Sequence, residues 1–541
     1  MSGPDAKFIS GFDFVATLTP GASGDFLMDD AASARPAAAA LRNRSIRAIF
    51  GSLLLVMLLA SLDQTIVSTA LPTIVGEFGG LAHLSWIVTA YLLAQTIVTP
   101  LYGKLGDLFG RKIVLQSAIL LFLAGSALCG LSRSMGQLIA FRALQGLGGG
   151  GLIVVAMAAV GDIFTPRERG RYQGIFGGVF GLSTVLGPLI GGFFVEHLSW
   201  RWIFYVNLPL GLLAVTIIGI AFTAPGSRRR PVIDVGGAAL LAVVLTALIL
   251  LTSLGGSAFA WSSPCALALF ATTIGGLFGF IAVELHSTEP ILPLRLFGNR
   301  VFGVACAVGF IVGLALFGSV TYMPMYLQVV KGVSPTLAGL TLTPMMAGVV
   351  VTSVVGGRII SRFGRYRPFP IIGTAVMTVG LGLLATLGVG TATWTACIYM
   401  LVLGTGLGFV MQVLVLAVQN AVDYRDLGVA TSGTTLFRSI GGSVGVSLFG
   451  AIFTAALTAN LAGRLPDADV AAAASPAAIR ALPVAVRTVY LDVFTAALHP
   501  VFLYAAAVAA LGFALTWLLK ELPLREVAAM PDDPSAPRRR S

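Results

Sequence analysis

Apolar residues in this chain run in long, nearly unbroken blocks, not in the period-two alternation of a half-buried strand or the single stripe of a surface helix. A helix needs about 20 mostly apolar residues to cross the hydrocarbon core of a bilayer. By that ruler the sequence predicts spans near 48–71, 84–103, 113–131, 136–160, 172–195, 202–223, 233–254, 264–285, 301–327, 335–356, 370–388, 392–416, 429–456 and 498–520. Backbone in lipid must satisfy its own hydrogen bonds. These fourteen blocks therefore predict an all-α polytopic membrane protein.

Composition agrees with the pattern. Of 541 residues, 57% are hydrophobic and only 11% are charged, against about 25% charged in an ordinary soluble domain; mean hydropathy is +0.92. The net charge of +11 does not point to nucleic acid, because Lys and Arg lie in short clusters between apolar blocks. With an even number of spans and the termini inside, the inner segments hold 26 of the 34 basic residues and the outer ones hold 6. Arg142 and Arg438 fall within spans. That asymmetry predicts both termini in the cytoplasm. Cys129, Cys265, Cys306 and Cys397 lie in or beside apolar blocks without a CxxC spacing, and they read as packing residues.

Three segments lie outside the spans. Residues 1–44 are Ala/Gly/Ser-rich with no signal-peptide pattern and read as a disordered cytoplasmic tail; residues 521–541 read as a second one. The outer loop 457–497 ends in "IRALPVAVRTVYLDVF". That stretch is either an amphipathic surface helix or part of a linker.

Two inner loops resemble each other. Gly103, Phe109, Gly110 and Arg111 of "GKLGDLFGRK" align with Gly357, Phe363, Gly364 and Arg365 of "GRIISRFGRY". Each joins a second to a third span if the halves are 45–225 and 301–520, with two inserted spans and their flanking cytoplasmic loops in 226–300. Repeated halves point to a transporter whose site lies between them near the midplane. In the first copy, Asp107 is placed to receive Arg or backbone donors and to lock helix ends together, while Arg111 and Lys112 anchor the loop inside. Ser361 replaces that aspartate in the second copy.

The stretch "LASLDQTIVSTALPTI" (59–74) places Asp63 inside span one, at a cost of about 2.5–3.5 kcal/mol for a charged residue at a helix centre. Burial penalises the charged carboxylate and a cationic neighbour favours it; a carboxyl between these influences can bind and release a proton. Arg142 in span four must find a partner or a water-filled cavity, and Arg438 in span thirteen poses the same question. Glu77, Glu196, Glu284 and Asp234 fall at span ends and read as interfacial. The second-half spans hold no interior acid. Gln64, Trp86, Tyr91, Gln145, Tyr322, Met325, Tyr326, Met411 and Arg438 are candidates for the wall of a pliable cavity.

The four histidines show no HExxH spacing and no GxxxxGK[ST] loop occurs. An enzyme, a metal site and direct ATP drive are thus not expected. Secondary transport without a cofactor, driven by the proton motive force, is.

These motifs resemble the major facilitator superfamily, specifically its fourteen-span drug:proton antiporter branch (the EmrB/QacA-like multidrug efflux transporters), over about 45–520. "GKLGDLFGRK" is similar to the loop motif between spans two and three, except that Leu108 stands where a basic residue is common. "LDQTIVSTALPTI" resembles the branch's first-span motif, and "RALQGLGGG" (142–150) its fourth-span motif. "GLSTVLGPLIGG" (181–192) is similar to the antiporter motif of span five, with Gly181, Gly187, Pro188, Gly191 and Gly192. "WRWIFYVNLPLG" (200–211) resembles the signature entering span six. The resemblance implies the major facilitator fold: two pseudo-symmetric six-helix bundles plus two extra central helices. It implies proton coupling through Asp63 and Arg142 and a span-five motif that disfavours leak. It further implies a monomeric exporter of hydrophobic or cationic compounds in a bacterial cytoplasmic membrane. The alternative is a dedicated exporter of an endogenous lipid or secondary metabolite. Nothing in the sequence speaks to a periplasmic adaptor.

Overall fold

The computed structural model describes residues 24–78, 84–222, 233–256, 259–464, 479 and 482–524. Sixteen α-helices carry the described chain, in order α1 (Gly24–Phe78), α2 (Leu84–Phe109), α3 (Arg111–Gly130), α4 (Met135–Ile163), α5 (Pro166–His197), α6 (Trp202–Tyr205), α7 (Asn207–Ala221) and α8 (Val235–Leu254). There follow α9 (Pro264–His286), α10 (Arg300–Val329), α11 (Pro335–Leu340), α12 (Thr343–Phe363), α13 (Pro368–Leu384), α14 (Thr393–Ala421), α15 (Leu427–Arg464) and α16 (Val484–Thr516). Among the described residues the only β pairing is an isolated bridge from Gly255 to Phe259.

Among the described residues, twelve helices are long and apolar enough to cross a membrane. The other two blocks expected as spans are α2, whose last turns carry Lys104 and Asp107, and α13, which has 17 residues. Helix starts follow local chemistry. The Ser134 side chain accepts from Gln137 N ahead of α4, Thr165 and Glu168 form a capping box before Pro166 of α5, and Asp234 caps α8; each satisfies donors that a helix start leaves open.

The terminal segments differ from their expected outlines. Described residues 24–47 belong to a unit separate from 48–541. Of the expected N-terminal tail, 1–23 lies outside the described residues, while 24–44 is helical as the start of α1; an Ala-rich sequence is a strong helix former. In the long outer loop, 465–478 and 480–481 lie outside the described residues, and 484–497 is not a separate surface helix. It forms the first turns of α16 after Pro483, with Tyr490, Val493, Phe494 and Ala497 buried. Of the C-terminal tail, Glu521 accepts from Tyr366 N and Arg367 N at 2.9 and 3.1 Å, and 525–541 lies outside the described residues.

Two seams join the halves. Helix α5 packs on α12, and α2 packs on α15. These are equivalent pairings, since α2 and α12 are the second spans of their halves and α5 and α15 the fifth. The inserted α8 packs on both α2 and α15, so only one seam is backed by an extra helix. Lys104 to Glu289 (2.6 Å) and Arg295 to Asp426 (2.8 Å) tie the segment after α9 to both halves.

Candidate functional site: a buried charge network beside a cavity

Asp63 is fully buried. Its Oδ2 accepts from Arg142 Nη1 at 2.7 Å, and its Oδ1 accepts from Gln145 Nε2 at 2.8 Å and Asn207 Nδ2 at 2.9 Å. Ser126 Oγ receives Gln145 and Asn207 at 3.2 and 3.0 Å and itself donates to Phe204 O. Arg142 also donates to Gln145 Oε1 at 2.8 Å and to Ile87 O, and its guanidinium lies 4.1 Å from the centre of the Tyr91 ring. One carboxylate thus joins α1, α3, α4 and α7. Breaking such a buried pair by removing one partner costs about 3–5 kcal/mol, because the surviving charge has no water to turn to. The sequence marked Asp63, Arg142, Gln145 and Tyr91. It missed Ser126 and Asn207, since single neutral polar residues in a span are unremarkable; "FYVNLP" held the only signal for the second.

The two similar loops each turn on a glycine at positive φ, with ψ 144° at Gly110 before α3 and ψ 9° at Gly364 after α12. Gly110 has φ 89° and Gly364 has φ 73°, left-handed values that glycine takes without a Cβ penalty. Beyond that the loops differ. Asp107 pairs with Arg111, which also reaches Asp162 at 3.2 Å. Across the seam, Asp107 accepts Gly428 N at 3.0 Å and Val429 N at 2.9 Å. A carboxylate on the open donors of a helix start is a favourable charge-assisted contact. The equivalent Ser361 accepts Arg171 N through its neutral hydroxyl, at 2.9 Å. Gly103 faces Gly428 and Ser432 with no room for a Cβ. Lys112 donates to Gly219 O within the first half. The same end carries further bonds between the halves, from Arg167 to Ser361 O and Arg362 O, and from Gln419 Nε2 to Met157 O.

Away from that end the halves part around a cavity of about 900 Å³. Gln64 and Gln95, bonded to each other at 2.9 Å, form part of one wall. Tyr322, Met411, Gln412, Thr435 and Arg438 form the other, and Thr252 and Ser253 of α8 close the side. Trp261, from the α8–α9 connection, and Thr454 and Ala455, late in α15, also line it. Of the candidate wall residues, Gln64, Tyr322, Met411 and Arg438 line the cavity. Trp86, Tyr91, Gln145, Met325 and Tyr326 do not. Tyr91 and Gln145 are buried in the Asp63 network, Tyr326 is in the core with its hydroxyl on Gly388 O, and Met325 faces outward at 39% exposed. Periodicity could not separate these faces because both are apolar. Asp63 itself does not line the cavity; its neighbour Gln64 does.

The span-five motif works through close approach. A Cβ at Gly181 would strike Val350 of α12, and at Gly187 or Gly191 it would strike Thr65 or Thr69 of α1. Thr65 donates to Ser183 O, four residues before Gly187 and five before Pro188. Gly192 faces open space. At the far end of α1, beyond its candidate span, Arg201 and Trp200 donate to Glu77 at 2.9 and 2.6 Å. These two bonds, that of Arg201 foremost, hold the Glu77 carboxyl below the usual carboxylate range.

Residues 53–446 match the family model of the Major Facilitator Superfamily. The chain is 43% identical over 487 residues to an uncharacterized MFS-type transporter of Mycobacterium tuberculosis, covering 90% of this chain and 71% of that one. It is 41% identical over 403 residues to the multidrug transporter protein MdtP of Bacillus subtilis, covering 74% of each. Among solved structures, the proton:xylose symporter XylE superimposes with a TM-score of 0.61 at 15% identity, over 89% of this chain and 97% of that one, which shows a shared fold. Family and relatives are transporters rather than enzymes. A multi-pass all-helical chain of repeated halves around a central cavity, with this match across most of its length, belongs to the Major Facilitator Superfamily.

Proposed function

We propose that this transporter is a proton-coupled exporter of the fourteen-span antiporter branch, moving drug-sized hydrophobic compounds outward across a bacterial cytoplasmic membrane by alternating access. The observation that carries the reading is the Asp63–Arg142 pair, buried behind a cavity wall and 2.7 Å apart. Neutralising Asp63 with a proton leaves Arg142 buried without its counter-charge, a change worth several kcal/mol. Protonation therefore cannot occur without rearrangement of α1, α4 and α7. Because Gln64 follows Asp63 on α1 and lines the cavity, that rearrangement reaches the substrate wall. The positive-inside bias puts the Asp107 loop in the cytoplasm. The state described here is then closed to the cytoplasm, with Asp107 on the start of α15 as its latch.

In a cycle of this kind, Asp63 takes a proton from outside as substrate leaves, the latch opens, and substrate arriving from the inner side displaces the proton to the cytoplasm. Each proton entering down the membrane potential contributes about 2.3 kcal/mol per 100 mV. The test is transport by the full chain in proteoliposomes with and without an imposed pH gradient, for the wild type and Asp63→Asn. Gradient-driven movement lost in the variant is expected. Gradient-driven movement that survives in the variant would remove Asp63 from the coupling.

A further inference from the structure

The charge of the cavity wall selects a substrate class that the sequence did not point to. Among the described residues its lining contains no aspartate or glutamate and one formal charge, Arg438. Among the described residues, no carboxylate and no hydrogen-bond acceptor pairs with the Arg438 guanidinium, whereas Arg142 has Asp63, Gln145, Ile87 and the Tyr91 ring. An arginine keeps its charge and offers five donors. In a wall that mixes neutral polar side chains such as Gln64, Gln95 and Gln412 with apolar ones such as Met57, Phe317 and Met411, those donors are open toward the space between the halves.

We propose that this cavity takes amphipathic organic monoanions, in which one carboxylate, sulfonate or phosphate ester group meets Arg438 and an apolar body fills the rest. Three features converge on that class. The guanidinium supplies a paired, planar anchor for an oxyanion. Thr435 and Ser439, the cavity residues nearest it on α15, add neutral hydroxyls without a competing charge. The cavity of about 900 Å³ is at the upper end of the range for drug-sized ligands. A permanent organic cation meets the opposite situation: a buried like charge and no acid to receive it. Asp63 does not fill that role, because it is sealed behind the wall by Arg142, Gln145 and Asn207.

The inference rests on the export reading for its direction of movement but not for its binding site, and the two are separable. The probes are 11-(dansylamino)undecanoic acid, its methyl ester and ethidium, tested on the purified full chain in neutral detergent for the wild type, Arg438→Gln and Arg438→Lys. The acid is expected to bind the wild type, to weaken at least about 10-fold in Arg438→Gln and to return to within about 3-fold in Arg438→Lys. The methyl ester is expected to bind wild type and Arg438→Gln alike, which also reports that the variant is folded. Equal binding of the acid to wild type and Arg438→Gln, or ethidium binding tighter than the acid, overturns the proposal. Transport of the same probes in proteoliposomes then separates the two readings. Acid that binds through Arg438 yet ignores the pH gradient rejects proton-driven export and leaves the substrate class standing. Gradient-driven movement of ethidium but not of the acid rejects the class and leaves export standing.

Discussion

The two halves of the molecule handle an arginine within a span in opposite ways. In the first half, Arg142 is 1% exposed and spends its donors on Asp63, Gln145 and Ile87. In the second, Arg438 stands in the cavity wall with no acid beside it among the described residues. A satisfied arginine is a structural and coupling element, since any change in its partner forces repacking. An unsatisfied one is a binding element. On the proposed reading, the same residue type in the same fold separates the work of carrying a proton from the work of holding a substrate.

The largest effect should come from breaking the satisfied side. Asp63→Asn is expected to lose about 3–5 kcal/mol of stability and to reduce gradient-driven transport by about 100-fold or more, read by thermal unfolding and proteoliposome flux. Adding Arg142→Gln should restore part of the stability by removing the orphaned charge, and none of the transport. A smaller effect should follow from making the second half resemble the first. Thr435→Glu places a carboxylate three residues before Arg438 on the same helix face, and should weaken binding of an anionic amphiphile by about 10-fold while leaving its neutral ester unaffected.

The repeated loops extend the comparison at lower energy. Loss of a charge-assisted contact costs about 1.5–3 kcal/mol and loss of a neutral one about 0.5–1.5 kcal/mol. Asp107→Asn should therefore open the end that carries these loops far more than Ser361→Ala, measured as thiol labelling of a cysteine placed beside Gly428. Equal labelling in the two variants would show that the halves latch symmetrically. Smallest is Glu77→Gln. Because the folded state lowers the Glu77 carboxyl, its contribution is present above the ordinary carboxylate range and fades as pH falls below it. The side chain is 42% exposed, so the pair is screened. The melting temperature should fall slightly at pH 7, and the gap to the wild type should close as pH falls through the lowered carboxyl range.

What could be read from the sequence was whatever carried a cost. Asp63 and Arg142 stood out because charges in apolar blocks are expensive, and the Gly110/Gly364 repeat because a loop must turn. Their partnership was not readable, since 79 residues separate them in the chain and helix packing alone brings them together. Ser126 and Asn207 were silent for the opposite reason: a neutral polar side chain in a span costs little and so leaves no mark. The cavity wall was only half legible. Tyr322 and Met411 line it while Tyr326 and Met325 do not, a choice made by helix rotation within uniformly apolar segments. The start of α16 was hidden because Arg487 and Asp492 broke the apolar run without breaking the helix that begins after Pro483.

The division of labour between Asp63 and Arg438 is tested most directly by counting protons released when substrate binds. Purified protein in weakly buffered detergent solution, with a soluble pH indicator, is titrated with the dansyl acid as wild type, Asp63→Asn and Arg438→Gln. Substrate and proton affinities are reciprocally linked if binding at one site disfavours the other. The account predicts proton release from the wild type, none from Asp63→Asn, and the wild-type amount from Arg438→Gln at about tenfold higher substrate. Release from Asp63→Asn equal to the wild type would contradict it, because the proton would then be carried by another group.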